Sequence, residues 1–241
     1  MKLSLKGLAL AAGIFGFAFH QLAYNWNWAA VYGYRRSLFA GWLATVWMSL
    51  AALFLSTLLG LLLALARRAP LRPLRCFAQL YIEVVRGTPL LVQILIFFYV
   101  VAAAFRVENR YLAGVLILSS FSGAYLSEIL RAGIESVGQT QLESARAIGL
   151  APFQIYRYVI VPQALRLVLP PLAGQFVSLI KDSSLLSIIA VNEFTQAARD
   201  ANSATYSTLE CYLPLAAGYL VLTLPISLWT RALERRMRYE T

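Results

Sequence analysis

Apolar residues run through this chain in long blocks, at 37–66, 80–105, 111–133, 163–191 and 209–233, broken by short polar or basic stretches. A hydrocarbon core about 30 Å thick needs about 20 consecutive apolar residues in a helix, so each block is predicted to span a bilayer. A shorter apolar run at 7–19 follows Lys2 and Lys6. No small-x-small cleavage pattern follows His20 and Gln21, so this run reads as a retained extra span rather than a signal peptide. The longest stretch without a spanning pattern is 139–162, QTQLESARAIGLAPFQIYRYVIVP.

The interruptions give the blocks an orientation. Residues 24–37 are rich in Tyr, Trp and Asn, the composition of an outer headgroup belt. The block at 37–66 outruns the bilayer and is expected to tilt or project. Arg67, Arg68, Arg72 and Arg75, with Pro70 and Pro73, then form a basic loop that the positive-inside rule places in the cytoplasm. In the next block Gly87 and Pro89 break the helix where Glu83 and Arg86 lie one turn apart, which reads as an ion pair anchoring a helix end or as part of a gate. Glu128 and Arg131 repeat that spacing in the following span. The block at 163–191 carries Pro170, Pro171 and Gly174, then the polar cluster Lys181, Asp182, Ser183 and Ser184. Charge at that depth is costly, so the cluster is expected either to line a pathway or to hold a local pair of Lys181 with Asp182. Residues 192–210 read as a polar outer loop, partly helical, and 237–241 as an inner tail. The count is six spans with both ends inside, or five if the first is removed.

The stretch 139–162 is written as two short helices. Thr140 and Glu143 have the spacing of a capping box, in which each side chain takes the other residue's backbone N–H. Gly149 stands where a chain can turn left-handed after a helix, and Pro152 cannot continue that helix. Ser144, Ala145 and Ala147 are small, so another surface can approach closely, which points to a soluble partner. Phe153, Tyr156, Val159 and Ile160 then fall at helical spacing, suited to the membrane surface or the underside of the bundle, with Pro162 closing the segment.

Composition agrees and excludes alternatives. Of 241 residues 60% are hydrophobic, and the mean hydropathy is +0.67, values of an integral membrane protein. The 21 Lys and Arg against 11 Asp and Glu flank apolar blocks instead of forming one basic face, so nucleic-acid binding is not indicated. Cys76 and Cys211 fall on opposite sides of the membrane, which argues against a disulfide, and one histidine leaves no metal cluster. The chain has neither a GxxxxGK[ST] phosphate loop nor a Ser, His and carboxylate set. Uphill transport would therefore draw energy from an ion gradient or from another subunit.

Glu143, Ala145 and Gly149, followed by Val159 and Pro162, resemble the E-A-A-x-x-x-G and I-x-L-P signature of permease subunits of ATP-binding-cassette (ABC) importers. YIEVVRGTPLLVQ, GAYLSEILRAGIESV, VPQALR and KDSSLLS resemble the branch that imports polar amino acids such as histidine, glutamine, arginine and glutamate or aspartate. The resemblance implies an all-α type I importer permease, with a five-helix core at 38–236 and an extra N-terminal span at 1–23. It implies a coupling loop at 135–162, in which Thr140, Glu143, Ser144, Ala145, Arg146 and Gly149 meet a separate ATPase dimer that binds ATP and Mg. A second permease, identical or paralogous, and a periplasmic solute-binding protein would complete the assembly in the bacterial inner membrane, with a cytoplasmic C-terminus. The chain departs at Ser144, where Ala is usual, at Thr140, where Gly is common, and at Gly138, where Pro is frequent. The extra first span resembles longer members associated with acidic amino acids.

Catalytic and metal residues are not expected in this chain. Candidates for the pathway or gate are Glu83, Arg86, Thr88, Gln93, Tyr125, Glu128, Lys181, Asp182, Ser183 and Ser184. A gradient-driven transporter or channel also has interrupted helices and buried charge, but no internal repeat is visible here. A membrane scaffold without transport would not need the polar cluster at 181–184.

Overall fold

The computed structural model describes residues 24–237, together with Gly13, Gly16 and Phe17. The expected span at 7–19 and the tail beyond 237 lie outside the described residues. A short helix α1 (Trp28–Tyr32) precedes a long α2 (Arg35–Ala66). Next come α3 (Arg72–Gly87), α4 (Leu90–Ala102, its second half a π-helical turn) and α5 (Arg110–Glu135). Then follow the small α6 (Gln139–Ala147), the long α7 (Pro152–Ile189), α8 (Phe194–Thr205) and α9 (Thr208–Met237). Four of these helices are long and apolar enough to cross a membrane, or five if α3 and α4, bent by 111°, form one broken span.

The centre of the bundle is the packing of α2 on α5. Lipid tails are as apolar as the side chains, so helices in a membrane associate through close backbone approach and small residues. Gly60 shows how close: a Cβ there would stand 2.8 Å from the Cβ of Leu126 and 3.1 Å from the carbonyl oxygen of Gly123. Ser119 adds a hydroxyl bond of 3.4 Å to the carbonyl of Ala52. Met48, Ile94, Leu118, Leu179 and Leu186 fill one core cluster beside this seam. By contrast, only 6% of the most apolar window of α9 is buried, so that helix offers most of its surface to lipid or to another chain.

Pro162 does not close a separate helix. The segment from Pro152 runs on into the following span as one helix of 38 residues, about 57 Å long. A π-helical turn at Tyr156–Ile160 lies immediately before Pro162, at the second position of the next α-helical stretch. Proline has no N–H to donate, and the wider turn shifts the hydrogen-bond ladder so that its ring is accommodated.

The polar region at 192–210 is more ordered than its composition suggests. Helix α8 folds back along α2 and buries Ala197, Ala198 and Ala201. Its N-cap is Glu193, a carboxylate with 0% exposure, which accepts the N–H groups of Thr195 and Gln196, each at 2.8 Å. Tyr219 on α9 donates its hydroxyl to the same carboxylate at 3.0 Å, so one side chain ties the helix start to two elements. Burial is the largest influence on Glu193 and holds its pKa above the usual carboxylate value. The outer aromatic segment is fastened in a similar way, since Glu210 accepts the Tyr24 hydroxyl and the Asn27 N–H.

Candidate functional site: the short helix α6 and the break between α3 and α4

Helix α6 does not begin with a capping box. Its N-cap is Gly138, in an extended conformation, and Thr140 already lies inside the helix. An N-cap side chain must come from the residue outside the first turn, so neither Thr140 nor Glu143 can play the expected part. The C-terminal expectation holds. Gly149 has φ +81°, its N–H reaches the carbonyl of Arg146 at 2.9 Å, and the N–H of Leu150 reaches that of Ala145 at 3.1 Å. These paired bonds are the left-handed helix stop for which glycine is suited.

The two faces of α6 differ. Thr140, Glu143, Ser144, Arg146 and Gly149 are exposed. Ala145 is buried in a cluster with Val137, Ile155, Ile160 and Ala164, so it packs the helix onto the start of α7 instead of facing outward. Gln163 donates to Gln141 at 2.7 Å, and Arg68 donates to the Tyr156 hydroxyl at 3.0 Å, tying this end of α7 to α6 and to the end of α2. A cavity of about 430 Å³, with Arg68, Glu135, Leu142 and Arg146 among its walls, lies beneath α6. Two apolar residues stand exposed next to the turn, Ile148 at 77% and Phe153 at 73%, the latter from the set expected to lie on the membrane surface or under the bundle. Their signal was an apolar pair flanking a helix stop, which is equally the pattern of a buried staple.

Above α6 the arginines converge on one carboxylate. Glu128 receives Arg67 from the end of α2, Arg131 at 2.6 Å from its own helix and Arg86 at 3.8 Å from α3. Arg131 also pairs with Glu135 at 2.5 Å, and Arg68 stands 4.0 Å from it. The expected pairing of Glu83 with Arg86 is not formed: Glu83 is exposed and takes part in none of the ion pairs among the described residues. α3 packs against α5, and the Arg86 guanidinium lies 5.4 Å from the ring centre of Tyr125.

At the break between α3 and α4, Gln93 acts as a staple. Its side-chain amide donates to the carbonyls of Val85 at 2.7 Å and Thr88 at 3.1 Å, and to the Thr88 hydroxyl at 2.8 Å. The Thr88 hydroxyl donates to the carbonyl of Val84 at 2.8 Å. The carbonyl of Val85, which loses its helical donor at Pro89, is thereby satisfied by a side chain, as a broken helix in a membrane requires. The break borders a largely apolar cavity of about 270 Å³ that includes Val92, Phe97 and Ser120.

The cluster at 181–184 lies where α7 tightens into a 3₁₀ stretch. Ser183 is buried and donates to the carbonyl of Ile180 at 2.7 Å, and Ser184 donates to that of Lys181 at 2.6 Å. Lys181 is exposed and Asp182 half-buried, and the expected local pair is absent from the ion pairs of the described residues. Neighbouring residues on a helix project about 100° apart, so their side chains do not face each other.

A family model described as the inner membrane component of binding-protein-dependent transport systems matches residues 56–239. The chain is 35% identical over 217 residues to the glutamine transport system permease protein GlnP of Escherichia coli (strain K12), covering 89% of this chain and 99% of that one. It is 34% identical over 197 residues to the probable glutamine ABC transporter permease protein GlnM of Bacillus subtilis (strain 168), covering 82% and 91% respectively. Among solved structures, a chain from an amino acid ABC transporter crystallised with histidines superposes with a TM-score of 0.81 at 36% identity, over 88% of this chain and 100% of that chain. An inward-facing MetNI methionine ABC transporter gives 0.70 at 16% identity, over 84% and 96%, a likeness of fold. A helical bundle with a helix pair bent by 111°, a glycine-stopped short helix and these matches lead to one assignment: the chain belongs to the family of inner membrane components of binding-protein-dependent transport systems, the permeases of ABC importers.

Proposed function

We propose that the chain is the non-catalytic permease subunit of an ATP-driven importer that moves a polar amino acid of the glutamine type across the inner membrane by alternating access. The names of the relatives favour glutamine, and they lend no support to an acidic substrate. A separate ATPase dimer would bind ATP and Mg, a second permease would complete the pathway, and a periplasmic binding protein would deliver the solute. The arginine-rich end of the bundle, with α6 and the C-terminus, would face the cytoplasm.

The observation that carries this reading is the mounting of α6. One face is exposed around Glu143, Arg146 and Ile148, while Ala145 on the other is packed against the root of a 38-residue helix that runs to the polar cluster at 181–184. Force applied to the exposed face would thus be delivered to one continuous helix that enters the membrane. Alternation would turn on the break at Gly87 and Pro89, whose hydrogen bonds are made by the side chains of Thr88 and Gln93.

The test is glutamine uptake by the reconstituted assembly with substitutions at Gly149. A Cβ built there has open space, but φ +81° strains any residue other than glycine, so a non-glycine control is needed beside the bulky variant. Asn tolerates the left-handed conformation and is expected to retain uptake, whereas Gly149→Trp is expected to abolish it with the permease still in the membrane. Normal uptake by the Trp variant would overturn the coupling role.

A further inference from the structure

At the arginine-rich end a groove of about 920 Å³ lies between α7 and α9. Arg166 lines it from α7, and Arg231 and Arg235 line it from α9, with Glu234 the one carboxylate among the described residues of its lining; Leu167 and Leu228 contribute apolar walls. Arg231 and Arg235 are four residues apart and therefore share a helix face, where like charges repel each other. Neither takes part in the ion pairs found among the described residues. The same face of α9 continues away from the groove as Leu228, Leu224 and Leu220, all exposed. An apolar track about 12 Å long therefore ends in a cluster of guanidinium groups.

We propose that this groove binds an anionic phospholipid, its phosphate held by Arg231 and Arg235 with Arg166 across from them, and an acyl chain lying along Leu228, Leu224 and Leu220. Guanidinium groups match phosphate oxygens in charge and in the fork of their donors. Basic pockets between membrane helices at this level recognise lipid headgroups by the same means. A soluble phosphate would use the arginines but leave the leucine track bare, and the groove is large enough for a headgroup with its glycerol. A bound lipid would also relieve the repulsion within α9 and brace it against α7, the helix that carries the motion of α6. The inference requires that the chain cross a bilayer, and is independent of the solute moved.

The experiment is native mass spectrometry of the full chain released from detergent with phosphatidylglycerol or phosphatidylcholine. Wild type is expected to retain phosphatidylglycerol preferentially, by about fivefold for each arginine engaged. Arg231→Gln with Arg235→Gln should abolish the preference, while Arg72→Gln with Arg75→Gln, in the first turn of α3, should preserve it. Equal retention of the two lipids by wild type, or an undiminished preference in the Arg231 and Arg235 variant, would overturn the proposal. So would equal loss in the Arg72 and Arg75 variant, since bulk charge would then be responsible. Inorganic phosphate in excess should not displace the lipid; displacement would show a site for soluble phosphate instead. Cross-linking of two chains through Leu228→Cys in a Cys76→Ser background would show that a second copy fills the groove, and would equally overturn it.

Discussion

Arg86 stands 3.8 Å from Glu128 on a different helix, while Glu83, one turn away on its own helix, is left exposed. The carboxylate of Glu128 is shared with Arg67 and Arg131, so three elements meet on one acidic group at the arginine-rich end. An exposed pair contributes little, but a half-buried carboxylate that neutralises several guanidinium groups is different, because removing it leaves them facing one another.

Glu128→Gln is therefore expected to destabilise the permease by about 2 kcal/mol, and Glu83→Gln by less than about 0.5 kcal/mol. Thermal unfolding of the two variants in the same detergent compares them directly. Equal melting temperatures would show that the hub at Glu128 contributes no more than a surface charge.

Gln93 should matter as a donor. Gln93→Glu keeps the shape of the side chain and removes the amide hydrogens that satisfy Val85 and Thr88, at a cost of about 1–3 kcal/mol for carbonyls left unpaired away from water. Gln93→Asn keeps the amide on a shorter arm and is expected to fall between. The readout is unfolding together with uptake. If the Glu variant matches wild type in both, the staple has no mechanical role.

Lys181 and Asp182 are adjacent in sequence and form none of the ion pairs found among the described residues. Replacing each alone and both together, with Met at 181 and Asn at 182, should give effects on stability that add within about 0.5 kcal/mol. A larger coupling energy in this double-mutant cycle would restore the local pair that the geometry lacks. Loss of uptake with intact stability in either single variant would place that side chain on the pathway.

The buried Glu193 predicts a pH effect outside the spans. Its pKa is raised in the fold by burial, so the protonated form is favoured there relative to the unfolded chain. The stability it contributes is complete below the unfolded pKa, about 4.5, and is lost as the pH rises through the folded value. Melting temperatures of wild type should thus carry an acid-side increment that Glu193→Gln lacks. Identical pH profiles for the two proteins would contradict the assignment.

What the amino-acid sequence determines by itself is whatever depends on local composition. Four of the apolar blocks form helices long enough to cross a membrane because about 20 apolar residues satisfy the bilayer whatever their order. Gly149 stops α6 because a left-handed residue disfavours a Cβ, and the broken span is legible in Gly87 and Pro89. The spacing of Glu143, Ala145 and Gly149 carries the family in the same way.

Tertiary structure decides everything that depends on which partner a polar group reaches first. Glu83 and Arg86 have pairing distance in sequence, yet the packing of α3 against α5 brings Glu128 to the arginine instead. Thr140 and Glu143 have the letters of a capping box, but the helix begins at Gln139 because Gly138 takes the extended conformation outside it. Pro162 looks like a stop until a π-helical turn absorbs it, and Glu193 looks like a loop residue until α2, α8 and α9 close around it. Spacing along a chain specifies which contacts are possible; the packing of distant helices selects among them, because a buried polar group is held by the nearest available donor, whatever its distance in sequence.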